Sequence, residues 1–580
     1  MTRTVRVAAV TFLVLWLAAS KVAAQTDPAV AGQWTSAAPL PFNSSALHLL
    51  PTGMVMFYGV RPTGTDTRLW DPATAITSLM PLPGYNVFCS GHAFLADGRL
   101  FFAGGHIVDG VGLPNSSTYD AASNVWAAGP NMNAGRWYPT ATTLANGDVL
   151  VVTGKIDNTV GPDLLPQVFQ VASGTWRNLT SAQLYVDLYP RMHLAPNGQV
   201  FNSATSQTTR YLGTSGTGAW TVVAATNTPG YRDYGSSVMY DDGKVLVMGG
   251  VDPPTSAAEV IDLNAATPAW RLVGSMAFAR RHLNATLLPD GKVLVTGGTS
   301  GPGFNNTATP VFAAEMWDPA TESWTTMASA QAVRLYHSAA LLLPDGRVLT
   351  TGGDDITQVE LYSPPYLFAG ARPTITSAPA AVSFGQSYFV ETPDAANIAK
   401  VRWIRLGSVT HAFNMNQRIN SLSFSQAPGG LNVVSPSNPN LAPPGHYLLF
   451  ILNANGVPSI AKIVQLGGST APAPALPDVI VTSLSYASGI FTSTVKNQGG
   501  AATPAGIAIG VAYSVDGVYR TWGGVTGPLA AGASVTIGTN GGPYTIPGGT
   551  HTITAFVDDE NRFAESDESN NQLSRPITIP

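Results

Sequence analysis

At 580 residues the chain is too long for one hydrophobic core, and it predicts about three folding units of roughly 100–200 residues each. Apolar residues make up 45 % and charged residues only 11 %, about half the usual charged share near 25 %. The net charge of −5 offers no basic footprint, which argues against nucleic acid as a partner. The 59 glycines and 44 prolines make a turn-rich chain, and no long stretch of 3.6-residue periodicity predicts an extended helix.

Arg3 and Arg6 precede an apolar run over 7–19, and Val22-Ala23-Ala24 fits a small-residue cleavage site. Residues 1–24 therefore read as a secretory signal peptide. The run is too short to span a bilayer comfortably. The mature protein is expected to be secreted or extracytoplasmic, with no membrane span and as a monomer. Its single cysteine, Cys89, reads as a buried inert thiol, an intermolecular partner, or part of a site.

From residue 30 a pattern recurs: a polar turn with glycine, an apolar strand, then often Gly-Gly. It runs PTGMVMFYG, ADGRLFFAGG, ANGDVLVVTG, PNGQVFNSA, DDGKVLVMGG, PDGKVLVTGG and PDGRVLTTGG. The turn glycines Gly53, Gly98, Gly147, Gly198, Gly243, Gly291 and Gly346 lie 45, 49, 51, 45, 48 and 55 residues apart. Seven units near 50 residues have the period of kelch-type propeller blades. The fold class is therefore all-β, with a seven-bladed kelch-type β-propeller over residues 30–370. Residues 373–466 read as alternating strands, including 387–392, 400–406 and 446–453, and predict an immunoglobulin-like β-sandwich. Residues 467–478 form a Pro/Ala-rich linker. Residues 479–580 predict a second sandwich, with an acidic run at 558–571 that reads as a solvated loop. Its oxygens make Ca²⁺ binding the alternative.

The residue nine places before each turn glycine should be equivalent in every blade. In order these are Ser44, Cys89, Tyr138, Tyr189, Tyr234, His282 and His337. If the strand entering the turn is innermost, all seven face one mouth of the central channel. A purely structural ring would carry small or aliphatic residues, whereas six of these are Cys, Tyr or His. Imidazole and phenolate donors suit Cu(II), and aromatic plugs bonded to water are the bland alternative. Tyr336 and His337 are adjacent, so both reach one metal only if the strand ends or bulges there.

Phe88-Cys89-Ser90-Gly91, Arg136-Trp137-Tyr138-Pro139, Tyr336-His337-Ser338 and Thr410-His411-Ala412-Phe413-Asn414 resemble the motifs of the copper radical oxidases, the galactose oxidase and glyoxal oxidase group. The resemblance covers residues 30–466. It implies copper held by Tyr138, Tyr336, His337 and His411, with His411 brought into the ring by a loop of the sandwich. It further implies a self-derived cofactor, a thioether joining Cys89 to the Tyr138 ring and carrying a tyrosyl radical. Tyr336 would be the general base. The implied reaction is the two-electron oxidation of a small aldehyde or primary alcohol, with O₂ reduced to H₂O₂. Catalytic roles thus fall to Tyr138, Cys89 and Tyr336, while Tyr189, Tyr234 and His282 are candidate substrate or supporting contacts.

The family's tryptophan over the radical tyrosine has no counterpart in residues 152–158. In a regular strand Trp137 would face away from Tyr138, leaving Tyr234, Tyr231 or Tyr189 to shield the radical. Asp187 and Arg191 read as surface residues. Asp558-Asp559-Glu560-Asn561 and Glu565-Ser566-Asp567-Glu568-Ser569-Asn570-Asn571 resemble a CARDB-type adhesion domain, which implies a cell-surface, glycan or protein ligand. The rival reading is a non-catalytic kelch-type glycan-binding or adhesion protein, which would have no reason to pair Cys89 with Tyr138 and two histidines.

Overall fold

The computed structural model describes residues 27–60, 64–203, 205–467, 476–563, 565, 567–568 and 570–580. The signal peptide over 1–24 and most of the 467–478 linker lie outside the described residues. Among the described residues, helix is confined to one four-residue turn, Pro28–Ala31, and short 3₁₀ segments.

Among the described residues, seven antiparallel sheets of four or more strands are built on strands between Gln33 and Ser363, beside two two-stranded ribbons. In six of these sheets the strand entering the glycine turn stands at one end of the hydrogen-bonding order, and in the first sheet Ser44–Leu49 is third, after strands Phe413–Asn414 and Ser408–Thr410. These inner strands are Ser44–Leu49, Gly91–Phe94, Thr140–Thr143, Met192–Leu194, Ser236–Asp241, Asn284–Leu287 and Ser338–Leu342. They are short and buried throughout except at the outer end of Ser236–Asp241, as expected where strands crowd a common axis. The turn glycines supply the positive φ of the tight connections, for example 93° at Gly98 and 97° at Gly291. The first strand, Gln33–Ala37, pairs with Val359–Ser363 of the last sheet and joins the two ends of the ring.

Residues 375–466 hold a separate core around Trp403, Tyr447 and Ile451. One five-stranded and one three-stranded sheet enclose it. Its strands Ser387–Glu391, Ile398–Arg405 and Gly445–Asn453 fall where period-2 alternation predicts them. Residues 479–579 have a third core around Phe491, Tyr513 and Ile553, between a three-stranded and a four-stranded sheet.

The acidic run is only partly the solvated loop expected. Asp558, Glu565 and Asn571 are 2 %, 7 % and 2 % exposed. The Glu565 carboxylate accepts from the Val479 amide at 2.6 Å and from Asn571 Nδ2 at 3.2 Å, pinning the run to the start of the module. Burial raises its pKa to about 7, with Glu568 and Asp558 adding to the rise. Among the described residues no group of three His, Cys, Asp or Glu is placed to hold a metal ion.

Candidate metal centre

Six of the seven ring positions share one unusual backbone state. Cys89, Tyr138, Tyr189, Tyr234, His282 and His337 have φ of 65°, 68°, 46°, 52°, 62° and 66°. A left-handed non-glycine residue costs on the order of 1–3 kcal/mol and persists only where its surroundings enforce it. Here the ring positions enforce one another. The Tyr138 amide donates to the Cys89 carbonyl at 2.9 Å, Tyr189 to Tyr138 at 2.9 Å, and His282 to Tyr234 at 2.8 Å. The left-handed residue precedes the inner strand, so the strand's alternation does not govern where its side chain points.

Buried arginines just upstream anchor the same corners. Arg136, Arg232, Arg280 and Arg334 pair with Asp163, Glu259, Glu315 and Glu360 at 2.9, 3.3, 2.7 and 3.2 Å. All four arginines are 4 % exposed or less. Breaking a pair of this kind costs about 3–5 kcal/mol because a buried charge is stranded. Their signal in the sequence is an arginine two or three places before the ring residue.

The sandwich that follows the propeller directly enters the ring as a hairpin. Ser408–Thr410 and Phe413–Asn414 pair with each other, and Ser408–Thr410 extends the first propeller sheet alongside Ser44–Leu49. The two tip residues, His411 and Ala412, have φ of 47° and 66°, as a two-residue primed turn requires. Such turns favour Asn-Gly, so the strained His-Ala tip is a site where geometry overrides preference. Contacts across the channel hold it. The Thr410 hydroxyl donates to the Ser45 carbonyl at 2.8 Å, and the Ser236 hydroxyl to the Ala412 carbonyl at 2.7 Å.

The hairpin brings His411 into the cluster. Its Nε2 lies 2.9 Å from the Tyr138 hydroxyl, which also hydrogen-bonds directly to the Tyr336 hydroxyl. The His337 and His411 rings are 4.7 Å apart. Cys89 is buried in the same cluster as Tyr138 and Tyr336. Tyr336 and His337 both face it because the strand starts only at Ser338 and His337 is left-handed.

Two neighbours set the imidazole tautomers. The Thr410 hydroxyl proton is committed to the Ser45 carbonyl, so its oxygen accepts from His411 Nδ1 at 2.6 Å. That leaves the Nε2 lone pair facing Tyr138. His337 Nδ1 lies 2.6 Å from Asp354 Oδ1 and donates to it, directing Nε2 to the other side. Burial, with His337, His282 and Arg191 nearby, holds the His411 pKa well below the usual histidine value. Burial likewise raises the Tyr138 phenol well above its usual value, with Cys89, Tyr336 and Tyr189 adding to the shift. Burial and Tyr234 do the same to Tyr336. The result is a set of neutral nitrogen and oxygen donors in a buried cluster that disfavours free phenolate. A divalent cation would supply the charge that two phenolates need, and imidazole with oxygen suits Cu(II).

Trp137 corrects the alternation argument. Its indole does not face away but stacks on Tyr138, with centroids 3.6 Å apart and planes 9° apart. The left-handed turn at Tyr138 places successive side chains on one side. The indole N–H donates to His106 Nδ1 at 3.3 Å, fixing the ring. Tyr189 covers Tyr138 as well, at 4.5 Å and 25°. Tyr234 instead packs edge-on against Tyr336 at 5.7 Å, and Tyr231 lies outward, 46 % exposed. His282 Nε2 donates to the Phe304 carbonyl at 2.5 Å, and burial lowers its pKa to about 3. It braces a loop over Tyr336. Arg191 is 2 % exposed, not a surface residue, and binds the Tyr189 and Gly235 carbonyls. A cavity of about 420 Å³ runs from Tyr138 and His411 past Tyr189, Tyr234 and Phe304 to Tyr185 and Tyr231. Tyr185 is 63 % exposed, so this cavity connects the donor cluster with solvent.

Residues 70–366 match the family model "Glyoxal oxidase N-terminus", residues 372–466 "Galactose oxidase-like, Early set domain", and residues 481–575 "CARDB". Galactose oxidase of Gibberella zeae is 30 % identical over 490 residues, covering 75 % of this chain and 70 % of that protein. Aldehyde oxidase GLOX of Vitis pseudoreticulata is 29 % identical over 445 residues, covering 66 % and 82 %. A solved fungal alcohol oxidase of the AA5 family, in complex with copper, superposes with a TM-score of 0.69 at 26 % identity. That match covers 75 % of this chain and 99 % of the other. Joined to a propeller whose channel gathers two tyrosines, two histidines and a cysteine, these likenesses show that the chain belongs to the copper radical oxidase family of galactose oxidase and glyoxal oxidase, with a CARDB domain added at its C-terminal end.

Proposed function

We propose that the protein is a secreted, monomeric oxidase that converts a small aldehyde, taken as its hydrate, or a primary alcohol to the next oxidation level. Two protons and two electrons leave the substrate, and O₂ takes both to become H₂O₂. The observation that carries this reading is the Tyr138 oxygen, in contact with both the Tyr336 oxygen and His411 Nε2, in a cluster that contains Cys89.

His337, His411, Tyr138 and Tyr336 would hold copper. When bound, copper supplies a Lewis-acidic position for the substrate oxygen and accepts one electron. Tyr336 takes the substrate hydroxyl proton, as a general base already positioned at the donor cluster. Tyr138, joined through a ring carbon to Cys89 Sγ, takes the carbon-bound hydrogen as an oxidised phenoxyl. Forming that thioether removes two hydrogens from the pair, with O₂ as the acceptor. Trp137 and Tyr189 cover the Tyr138 ring, spreading and shielding its unpaired spin. The aromatic cavity admits substrate from the side of Tyr185 and Tyr231. The leader-like sequence at 1–24 supports export.

The test is intact-mass analysis of copper-treated protein, followed by H₂O₂ release with methylglyoxal, glycolaldehyde, glycerol and galactose. The expected result is a mass lower by two hydrogens, a Cys89–Tyr138 cross-linked peptide, and turnover of the small substrates above galactose. Tyr138→Phe should lose the cross-link and turnover while keeping its fold. Oxidation retained in that variant would overturn the mechanism.

A further inference from the structure

The C-terminal module has an outer sheet face that nothing in the oxidase reaction uses. Three strands bring one row of side chains together: Trp522 lies opposite Ala512, and Ala512 lies opposite Phe556. Trp522 and Phe556 are 47 % and 38 % exposed, although the residues on either side of each, Thr521, Gly523, Ala555 and Val557, are buried. Two strand spacings separate them, about 9.5 Å. The small Ala512 between them leaves a shallow bay with an aromatic ring at each side. Tyr519, 57 % exposed, pairs with Ser514 in the neighbouring row. The indole is seated: a Cβ on Gly541 would lie 2.5 Å from its Cδ1 and Nε1.

The neighbouring rows carry hydroxyls and an amide. Thr554 lies beside Phe556 on its strand, Gln572 pairs with Phe556, and the Thr554 and Ser574 hydroxyls hydrogen-bond at 2.8 Å. The charged side chains nearby are engaged, and those of Asp559 and Arg562 lie over Gly510, two residues before Ala512 on the central strand. Asp559 pairs with Arg562 at 2.5 Å, Asp516 with His551 at 2.7 Å, and Arg520 lies over the Tyr544 ring at 5.0 Å. An exposed apolar patch rimmed by polar groups marks a binding surface. This one offers flat rings, hydroxyls and an amide, with no long aliphatic side chain and no charged side chain along its central row. That chemistry complements the C–H faces and hydroxyls of neutral sugar rings. It lacks both the aliphatic core of a protein interface and the charge that an acidic polymer would need.

We propose that this face binds a neutral polysaccharide, with Trp522 and Phe556 stacking on two sugar rings of one chain. The binding is independent of copper and of the oxidase site, and it would hold a peroxide-producing enzyme against insoluble carbohydrate. The test uses the full-length protein in native gels containing soluble xylan, glucomannan, hydroxyethylcellulose or β-1,3-glucan, with polygalacturonate as the anionic control. At least one neutral polymer should retard the protein equally at low and high salt. Trp522→Ala and, separately, Phe556→Ala should each weaken retardation about tenfold or more while oxidation of a soluble alcohol and thermal stability stay unchanged. The proposal is overturned if no neutral polymer retards the protein or if both variants bind as the parent does. Retardation by polygalacturonate alone that salt abolishes, or a dimer that Trp522→Ala dissolves, would also overturn it.

Discussion

The two sandwiches that follow the propeller have the same architecture and opposite uses. Both enclose a β core between two sheets. The first sends a two-residue hairpin tip into the propeller channel, adding strand Ser408–Thr410 to a propeller sheet and placing His411 against Tyr138. The second has its own core and leaves an aromatic row open to solvent. The contrast teaches that a sandwich becomes part of an active site through one short connection whose backbone contradicts local preference, and not through its fold.

The largest expected break of that contrast is His411→Ala. It should lower copper affinity by more than the roughly 10–100-fold that losing a mere outer-sphere partner costs and should abolish turnover. Removing residues 479–580 should leave copper affinity and turnover on soluble substrate unchanged. Metal titration and peroxide release read both. A finer cut is Thr410→Val, which keeps the β-branched shape but removes the hydroxyl that accepts from His411 Nδ1. It should weaken copper binding by about 10–100-fold, measured by competition with a chelator, and lower the unfolding midpoint slightly because the Ser45 carbonyl loses its donor. The smallest effect belongs to the C-terminal module. Glu565 has its folded pKa raised to about 7 from an ordinary value of 4.5. Between those pH values the folded state binds more protons than the unfolded one, so the module should lose stability as pH rises from about 4.5 through 7. Calorimetry of the full chain should show the module's transition falling over that window. Glu565→Gln should remove the dependence.

Much of the donor cluster was legible because a propeller converts sequence phase into angular position. Nine residues before each turn glycine is one place in space, repeated around an axis, and that rule selected Cys89, Tyr138 and His337 together. Three things escaped it. Trp137 was assigned the wrong direction because alternation presumes extended backbone, and the left-handed φ of 68° at Tyr138 has no signature in the residue type. The partners of the hairpin were hidden because Thr410 reaches Ser45 across 365 positions of chain, a pairing that no local pattern encodes. The arginine–carboxylate pairs were overlooked because a charged residue at a loop corner ordinarily reads as solvated. Four such residues at or near one repeat phase were the available clue.

The strand Gln33–Ala37, paired with Val359–Ser363, has a consequence for the order of assembly. Tyr138, Tyr336, His337 and His411 have no common frame until the ring is sealed and the hairpin has docked. The entropy of closing so long a loop is met by strand pairing and burial across the seam. Ring closure should therefore precede any metal loading, and metal-free protein should accumulate as a folded, loadable reservoir.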